Sequence, residues 1–182
     1  SITKIDFGVE INGWITDCAF TIAFDDKYIN LLNAVKEATY HGIKTVAMDK
    51  DIGEWGGDIR EVMESYEVTV DNKTYPVKSI KNLGGHSILQ GQIHGGLFLP
   101  SFNISDSIFA YKKKFTENVY AVETFGSLGN ENVVEKSSEN SIYMKNYRSG
   151  ESDSSMRSKL SNKYVKIFDL FNSTFKTMPF CD

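Results

Sequence analysis

Four side chains in this sequence could together bind metal ions: Asp6, Asp17, His86 and Glu123. Carboxylate oxygens with one imidazole suit Mn, Fe(II), Co or Zn in an oxygen-rich site, whereas a structural zinc site commonly uses thiolates. Paired cations of this kind activate water for attack on a carbonyl group. The residue types therefore allow a carboxylate-bridged two-metal hydrolase.

Each of these residues also has an ordinary structural explanation. Acidic side chains on a hairpin face are usually solvated, and a single histidine is more often hydrogen-bonded within the protein than bound to metal. Only the combination favours a metal site. The sequence has no His-Glu-x-x-His helix, phosphate-binding loop or Gly-x-Ser-x-Gly elbow that would indicate another hydrolase.

The two aspartates lie on a predicted hairpin of residues 2–24. Its turn is Asn12-Gly13, a pair that supplies the positive φ angles of a two-residue type I′ turn. Paired residue numbers then sum to 25, which makes Asp6 and Asp17 diagonal neighbours on one face. We expect the opposite, apolar face to pack into a core; it carries Ile5, Phe7, Val9, Ile11, Trp14, Cys18, Phe20 and Ile22.

Further helices and strands follow along the chain. Helical spacing predicts helices to about His41 with Gly42 as the stop, over residues 57–65, and over residues 156–175. Strand patterns cover 67–77, as a hairpin, and 119–125. His86 and His94 are eight residues apart and would share one side of an extended chain. The mixture of helices and antiparallel strands predicts an α+β fold.

Composition limits the class of protein. The 182 residues are 41% hydrophobic and carry a net charge of −4, which excludes a wholly disordered chain and gives no basic field for nucleic acid or an anionic membrane. No apolar run is long enough for a membrane helix. Two cysteines provide no disulfide framework. We expect a cytoplasmic monomer with neither DNA nor a membrane as partner.

Several motifs resemble type 2 methionine aminopeptidases in collinear order. They are Lys4-Ile-Asp-Phe-Gly8, Asp17-Cys-Ala-Phe-Thr21, Glu61-Val-Met-Glu-Ser-Tyr-Glu-Val68, Gly85-His-Ser-Ile88, Ile93-His-Gly95, Ala121-Val-Glu-Thr-Phe-Gly126 and Tyr143-Met-Lys-Asn146. The resemblance implies a pita-bread fold, in which a curved antiparallel sheet has helices on its outer face and two metal ions in its concavity. It also implies removal of the initiator methionine from nascent proteins and peptides, with a small second residue preferred.

Residue roles follow from the resemblance. Asp6, Asp17, His86 and Glu123 match metal ligands, and Glu123 also matches the group that shuttles a proton. His94 matches a histidine that contacts the scissile carbonyl. The resemblance implies two divalent ions, of Co, Mn, Fe or Zn, and it implies substrate contacts at Gly84, Ile93, His94, Phe125 and Ile142.

The sequence departs from the family pattern at several positions. Gly84 replaces a usual asparagine, and Ile142 replaces a histidine that forms one wall of the methionine pocket. A fifth metal ligand near the family's C-terminal end and a histidine upstream of Asp6 find no match. We therefore expect the chain to be the middle of a larger enzyme, and we expect these 182 residues alone to bind metal weakly and to have little or no activity.

The predicted organisation is a partial pita-bread catalytic domain over residues 1–146 and the start of a helical insert over residues 147–182. Two other functions remain open from the residues. One is a non-enzymatic pita-bread protein that binds RNA or ribosomes. The other is a proline-specific peptidase of the same fold. For the enzyme itself, the basic run at residues 112–114 is either a solvated loop or a ribosome contact, since methionine excision acts on nascent chains.

Overall fold

The computed structural model describes residues 1–104, 113–134, 141–145 and 152–181. The chain forms two compact units, Ser1–Val134 and Glu135–Asp182. The division into a catalytic domain over residues 1–146 and an insert over residues 147–182 stays a prediction. Within the described residues, no helix has the length and apolar character needed to cross a membrane.

Helices and short antiparallel strands make up both units, which confirms the predicted α+β class. The first unit contains β1 Ile2–Ile11, β2 Trp14–Ala23, a 3-10 turn Asp26–Tyr28, α1 Ile29–Thr45, α2 Ile52–Glu64, β3 Glu67–Val70, β4 Lys73–Pro76, β5 Lys78–Ser79, β6 Gly84–Ile88, β7 Phe98–Pro100, β8 Val119–Ala121 and β9 Gly126–Ser127. The second contains β10 Ile142–Tyr143, α3 Asp153–Ser158, α4 Asn162–Thr174 and β11 Phe180–Cys181.

The hairpin of β1 and β2 has the predicted register. Asn12 and Gly13 adopt φ angles of 55° and 85°, as a type I′ turn requires. Asp6 pairs with Ala19 and Asp17 pairs with Gly8. The two aspartates are therefore diagonal neighbours on one face of the hairpin.

The expectation that the hairpin's apolar face packs into a core is wrong. On that face Phe7 is 50% exposed and Ile11 is 68% exposed, whereas Ile15 on the other face is only 5% exposed. A two-stranded ribbon has two faces, and the face that carries Asp17 is the one turned toward the rest of the first unit. The apolar face consequently points outward, with Phe7, Val9, Ile11, Trp14, Phe20 and Ile22 all among its exposed side chains.

Helices α1 and α2 pack together and hold the core of the first unit. Helix α1 runs past the predicted stop at Gly42 to Thr45. Gly42 allows close packing instead, since a Cβ there would lie 2.9 Å from Ile59 Cδ1 and 3.1 Å from Trp55 Cζ2. The Trp55 indole N–H also donates to the Gly42 carbonyl at 3.0 Å. Tertiary packing therefore overrides glycine's usual role as a helix terminator.

Helix α2 begins five residues before the prediction. Asp51 caps it, because its carboxylate accepts hydrogen bonds from Gly53 N–H at 2.8 Å and Glu54 N–H at 3.0 Å. An acidic cap satisfies backbone donors that have no partner within the first helical turn. Ile52, Trp55, Ile59 and Met63 then lie buried along one side of α2.

Strand β6 is the centre of a three-stranded antiparallel sheet of order β7-β6-β8. His86 pairs with Phe98 on one side and with Ala121 on the other. The predicted strand 119–125 is shorter than expected, because β8 ends at Ala121. Glu123 therefore follows the strand, and its position is set by the segment that leaves the sheet.

Among its described residues, the second unit has helices α3 and α4 where a single helix over residues 156–175 was predicted. Helix α3 ends at Ser158 and α4 begins at Asn162. Phenylalanine rings stack near the end of α4: the centroids of Phe175 and Phe180 lie 4.6 Å apart. Lys145 contributes an ion pair with Asp153.

Substitution Gly56→Ala tests the close approach of α2 to the chain after β7. A Cβ at Gly56 would lie 2.6 Å from the Pro100 carbonyl oxygen and 2.5 Å from that of Phe102, and backbone cannot move aside as a flexible side chain can. We expect the free energy of unfolding to fall by about 2 kcal/mol despite alanine's better helix propensity. Urea denaturation measures this change.

The matched control is Gly57→Ala on the same helix. The three heavy atoms nearest to its Cβ would all belong to the Asn103 side chain, the closest at 3.3 Å. We expect a much smaller change in unfolding free energy for this control. Equal effects of the two substitutions would contradict the packing argument.

Candidate metal centre

Three separate elements bring one acidic or imidazole side chain each to a common point. Asp17 lies on β2, His86 lies on β6 and Glu123 follows β8. One ligand atom from each lies within 4.8 Å of the others. His86 Nε2 is 3.0 Å from Glu123 Oε1 and 3.5 Å from Asp17 Oδ2.

Asp6 lies on the same hairpin face but does not join this cluster of three. Its side chain is exposed. Its charge nevertheless contributes to the raised pKa of Asp17, as expected of a diagonal cross-strand neighbour. The role of Asp6 as a metal ligand stays a prediction.

The ring orientation of His86 suits a metal ligand. Its Nδ1 lies 3.1 Å from the backbone carbonyl oxygen of Ser87. A carbonyl can only accept, so Nδ1 carries the proton of the neutral ring and donates it to Ser87. The neutral ring then presents the Nε2 lone pair toward Asp17 and Glu123, which is the arrangement that a hydrogen-bonded metal-binding histidine uses.

The two carboxylates and the imidazole perturb one another electrostatically. Burial opposes the charged form of His86, but the hydrogen bonds to Glu123 and Ser87 and the charges of Glu123 and Asp17 outweigh it, and the His86 pKa is raised. Burial is the main cause of the raised pKa of Asp17, and repulsion by Glu123 adds to it. Asp17 and His86 therefore hold protons more strongly than the same groups would in isolation.

His94 reaches the site by a different route from the one predicted. The chain between His86 and His94 is not extended, because Leu89 and Gln92 form a tight turn with two mutual backbone hydrogen bonds. The turn returns His94 toward His86, and the ring centroids lie 4.5 Å apart in an edge-to-face arrangement. Burial and the neighbouring His86 lower the pKa of His94, which favours the neutral form of its ring.

The donor set fits a divalent cation. Asp17 and Glu123 supply oxygen ligands and His86 supplies nitrogen, a combination suited to Mn, Fe, Co or Zn. Burial is the largest cause of the raised pKa of Asp17, and repulsion between the Asp17 and Glu123 carboxylates adds to it. A cation between them would relieve this repulsion and compete with the protons.

The predicted substrate-contact residues lie in both units. Ile93 and Phe125 are partly buried in the first unit. Gly84 begins β6, where a Cβ would lie 2.4 Å from the Leu99 carbonyl oxygen, so the absence of a side chain is required by the approach of β7. Ile142 lies on β10 of the second unit and is 68% exposed. Their contacts with substrate stay predictions.

Sequence reasoning missed the groups that hold these side chains in place. The Ser87 carbonyl orients His86, and it also accepts the Gly95 N–H at 2.6 Å. The Ser87 hydroxyl accepts the Leu97 N–H at 3.1 Å. Because the key acceptor is a backbone carbonyl, which every residue has, the sequence offers no signal for it.

Comparison with known proteins places this site in a family context. The family profile described as metallopeptidase family M24 matches residues 1–139. The chain is 46% identical over 180 residues to methionine aminopeptidase 2 of Verticillium alfalfae, covering 99% of this chain and 38% of that protein. It is 45% identical over 181 residues to methionine aminopeptidase 2 of Komagataella phaffii, covering 99% of this chain and 39% of that protein. The predicted resemblance is confirmed, and the chain spans less than half the length of these relatives.

Solved structures share the fold. Methionine aminopeptidase from Rickettsia prowazekii matches with a TM-score of 0.58 and 20% identity over 73% of this chain and 50% of that chain. A thermophilic Arx1 matches with a TM-score of 0.65 and 17% identity over 98% of this chain and 51% of that chain. These likenesses, together with the family match, confirm the predicted pita-bread class.

The two neighbouring histidines should titrate in a defined order in the metal-free protein. We expect the His86 pKa to lie above its ordinary value and the His94 pKa to lie below, for the electrostatic reasons given above. Imidazole NMR signals followed against pH would measure both. Glu123→Gln should lower the His86 pKa, because it removes the charge that stabilises the imidazolium. A His94 transition at higher pH than that of His86 would contradict this order.

Asp17→Asn should weaken the binding of Mn²⁺ at least about tenfold, since it removes a charged ligand. Isothermal titration calorimetry measures the dissociation constant. In the unsubstituted protein the affinity should also fall as the pH drops through the His86 transition, because metal and proton compete for Nε2. Asp58→Asn is the control. Asp58 lies on α2 and pairs with Lys50, so its substitution should leave Mn²⁺ affinity unchanged. Equal losses in both variants would argue against this cluster as the metal site.

Proposed function

The chain belongs to metallopeptidase family M24, and we propose that the protein removes the N-terminal methionine from nascent proteins and peptides. The observation that carries this proposal is the cluster of Asp17, His86 and Glu123 in a chain that is about 45% identical, along nearly its whole length, to methionine aminopeptidases of type 2. Sequence similarity without the cluster would equally fit a non-enzymatic pita-bread protein that had lost its metal ligands.

The family is one of metallopeptidases, and the finer metal assignment is part of our proposal. We infer that Asp6, Asp17, His86 and Glu123 hold two divalent ions of Co, Mn, Fe or Zn. Bound divalent ions lower the pKa of water and polarise a carbonyl group. The protein's own contribution is to fix these ligands on separate elements, so that their positions depend on the fold and not on one flexible loop.

Glu123 is the proposed acceptor of a proton from the attacking water. Its side chain is about one-third exposed, so solvent and substrate can reach it. Oε1 is 3.0 Å from His86 Nε2, which keeps the carboxylate beside the ligand cluster. A carboxylate in this place can take the proton as the new bond forms and deliver it to the departing amine, as a general base that becomes a general acid.

His94 is the proposed hydrogen-bond donor to the oxygen of the scissile carbonyl. A neutral imidazole keeps one N–H donor, and the lowered pKa of His94 favours the neutral form. Its ring is exposed and lies beside His86. A donor that is already oriented toward the oxygen stabilises the charge that develops there in the transition state.

The substrate in this proposal is a peptide with a free N-terminal methionine. By resemblance to the family, Gly84, Ile93, Phe125 and Ile142 are proposed to contact the substrate. We place the reaction in the cytoplasm, where new chains emerge from ribosomes. A small second residue is preferred in this proposal.

The test is release of methionine from a Met-Gly-Ser peptide by the purified full-length protein supplied with Mn²⁺ or Co²⁺. Glu123→Gln should lower kcat about a hundredfold or more, since it removes the proton acceptor. Glu37→Gln on exposed α1 surface is the matched control and should retain full activity. Cleavage of an X-Pro peptide without release of methionine would refute the proposal in favour of a proline-specific peptidase.

A further inference from the structure

A tight turn of residues Leu89 to Gln92 contacts the tip of the β1–β2 hairpin. The Gln90 side-chain amide donates to the Asn12 carbonyl at 2.8 Å. The Gly91 N–H donates to the Gly13 carbonyl at 2.6 Å. The two contacts act on consecutive carbonyls of the hairpin turn, so they fix both its position and its orientation.

The turn is itself well defined. Leu89 and Gln92 exchange backbone hydrogen bonds of 2.9 and 3.0 Å. Gly91 has a φ of 74°, in the left-handed region that glycine adopts without strain. The turn therefore holds its two ends at a fixed position relative to each other.

The second glutamine of the turn contacts the chain that carries His94. The Gln92 side-chain amide donates to the His94 carbonyl at 2.6 Å. Next along the chain, the Gly95 N–H donates to Ser87. His94 is thus held from both sides, by the turn and by strand β6.

We propose that Gln90 and Gln92 are positioning residues with separate tasks. Gln90 holds the hairpin so that Asp17 meets His86, and Gln92 sets the placement of His94. This inference rests on the proposed function, which assigns metal binding to Asp17 and carbonyl contact to His94. Neither glutamine touches the cluster of three.

The separation of tasks follows from geometry. Asp17 is four residues from Gly13 on a paired strand, and a β-strand is stiff over that distance, so movement of the tip shifts the carboxylate. Gln92 contacts the backbone of His94 itself. Loss of the Gln92 amide therefore frees His94 while the hairpin contacts of Gln90 and Gly91 remain.

Gln90→Leu and Gln92→Leu in the whole protein test the proposal, since each replaces an amide donor with an apolar side chain of similar size. For Gln90→Leu we expect the Mn²⁺ dissociation constant to rise about fivefold, with kcat at saturating Mn²⁺ little changed; one exposed hydrogen bond allows an effect of this size. The visible absorption spectrum of the Co²⁺-loaded protein should also shift.

For Gln92→Leu we expect the opposite pattern. Mn²⁺ affinity should be unchanged, kcat for Met-Gly-Ser should fall about fivefold through misplacement of His94, and the His94 imidazole NMR signals should shift. Each variant is the matched control for the other, because both lie in the same exposed turn. Equal effects on affinity and kcat in both variants, or no effect in either, would overturn the proposal.

Failure of the proposed function would be seen separately. If the unsubstituted protein released no methionine, the Mn²⁺ affinities and the His94 NMR signals would still report whether each glutamine positions its target. Those two measurements decide the inference, and peptide turnover decides the function.

Discussion

The site depends on two carboxylates that converge on one imidazole. Asp17 and Glu123 approach His86 Nε2 to 3.5 and 3.0 Å, and the carboxylates repel each other unless positive charge lies between them. Burial followed by repulsion from Glu123 raises the pKa of Asp17, whereas the pKa of His86 is raised against burial by its hydrogen bonds to Glu123 and Ser87 and by the charges of both carboxylates. The same proximity that disfavours the metal-free charged state therefore favours divalent metal binding.

The scaffold must hold Asp17, His86 and Glu123, from three distant segments of the chain, close together although the two carboxylates repel each other. His86 lies on the central strand of its sheet, with β7 and β8 paired on either side. Gly85 lets the strands approach closely, since a Cβ there would lie 2.1 Å from the Ala121 carbonyl oxygen. Behind the sheet, α1 and α2 supply a core that includes Trp55 and Ile59. Rigid packing of this kind keeps ligands in place when electrostatics alone would separate them.

Prediction from sequence succeeded where the determining interaction is local. The Asn12-Gly13 turn set the hairpin register, because turn type and strand pairing are coupled over a few residues. Prediction failed where contacts between distant parts of the chain determine the outcome. Helix α1 continues through Gly42 because that residue packs on Trp55. The apolar face of the hairpin is exposed although its sequence pattern favours burial. An alternating pattern reveals two faces but does not reveal which one meets the rest of the protein.

The sequence by itself determined the kind of chemistry, since the carboxylates, the imidazole and the motifs around them can be read without coordinates. It also placed Asp6 and Asp17 on one hairpin face. Only the tertiary structure decided that Asp17, His86 and Glu123 meet within 4.8 Å, that the Ser87 carbonyl selects the ring nitrogen of His86, and that a turn returns His94 to the site. These outcomes depend on backbone groups and long-range contacts, which residue identity does not encode locally.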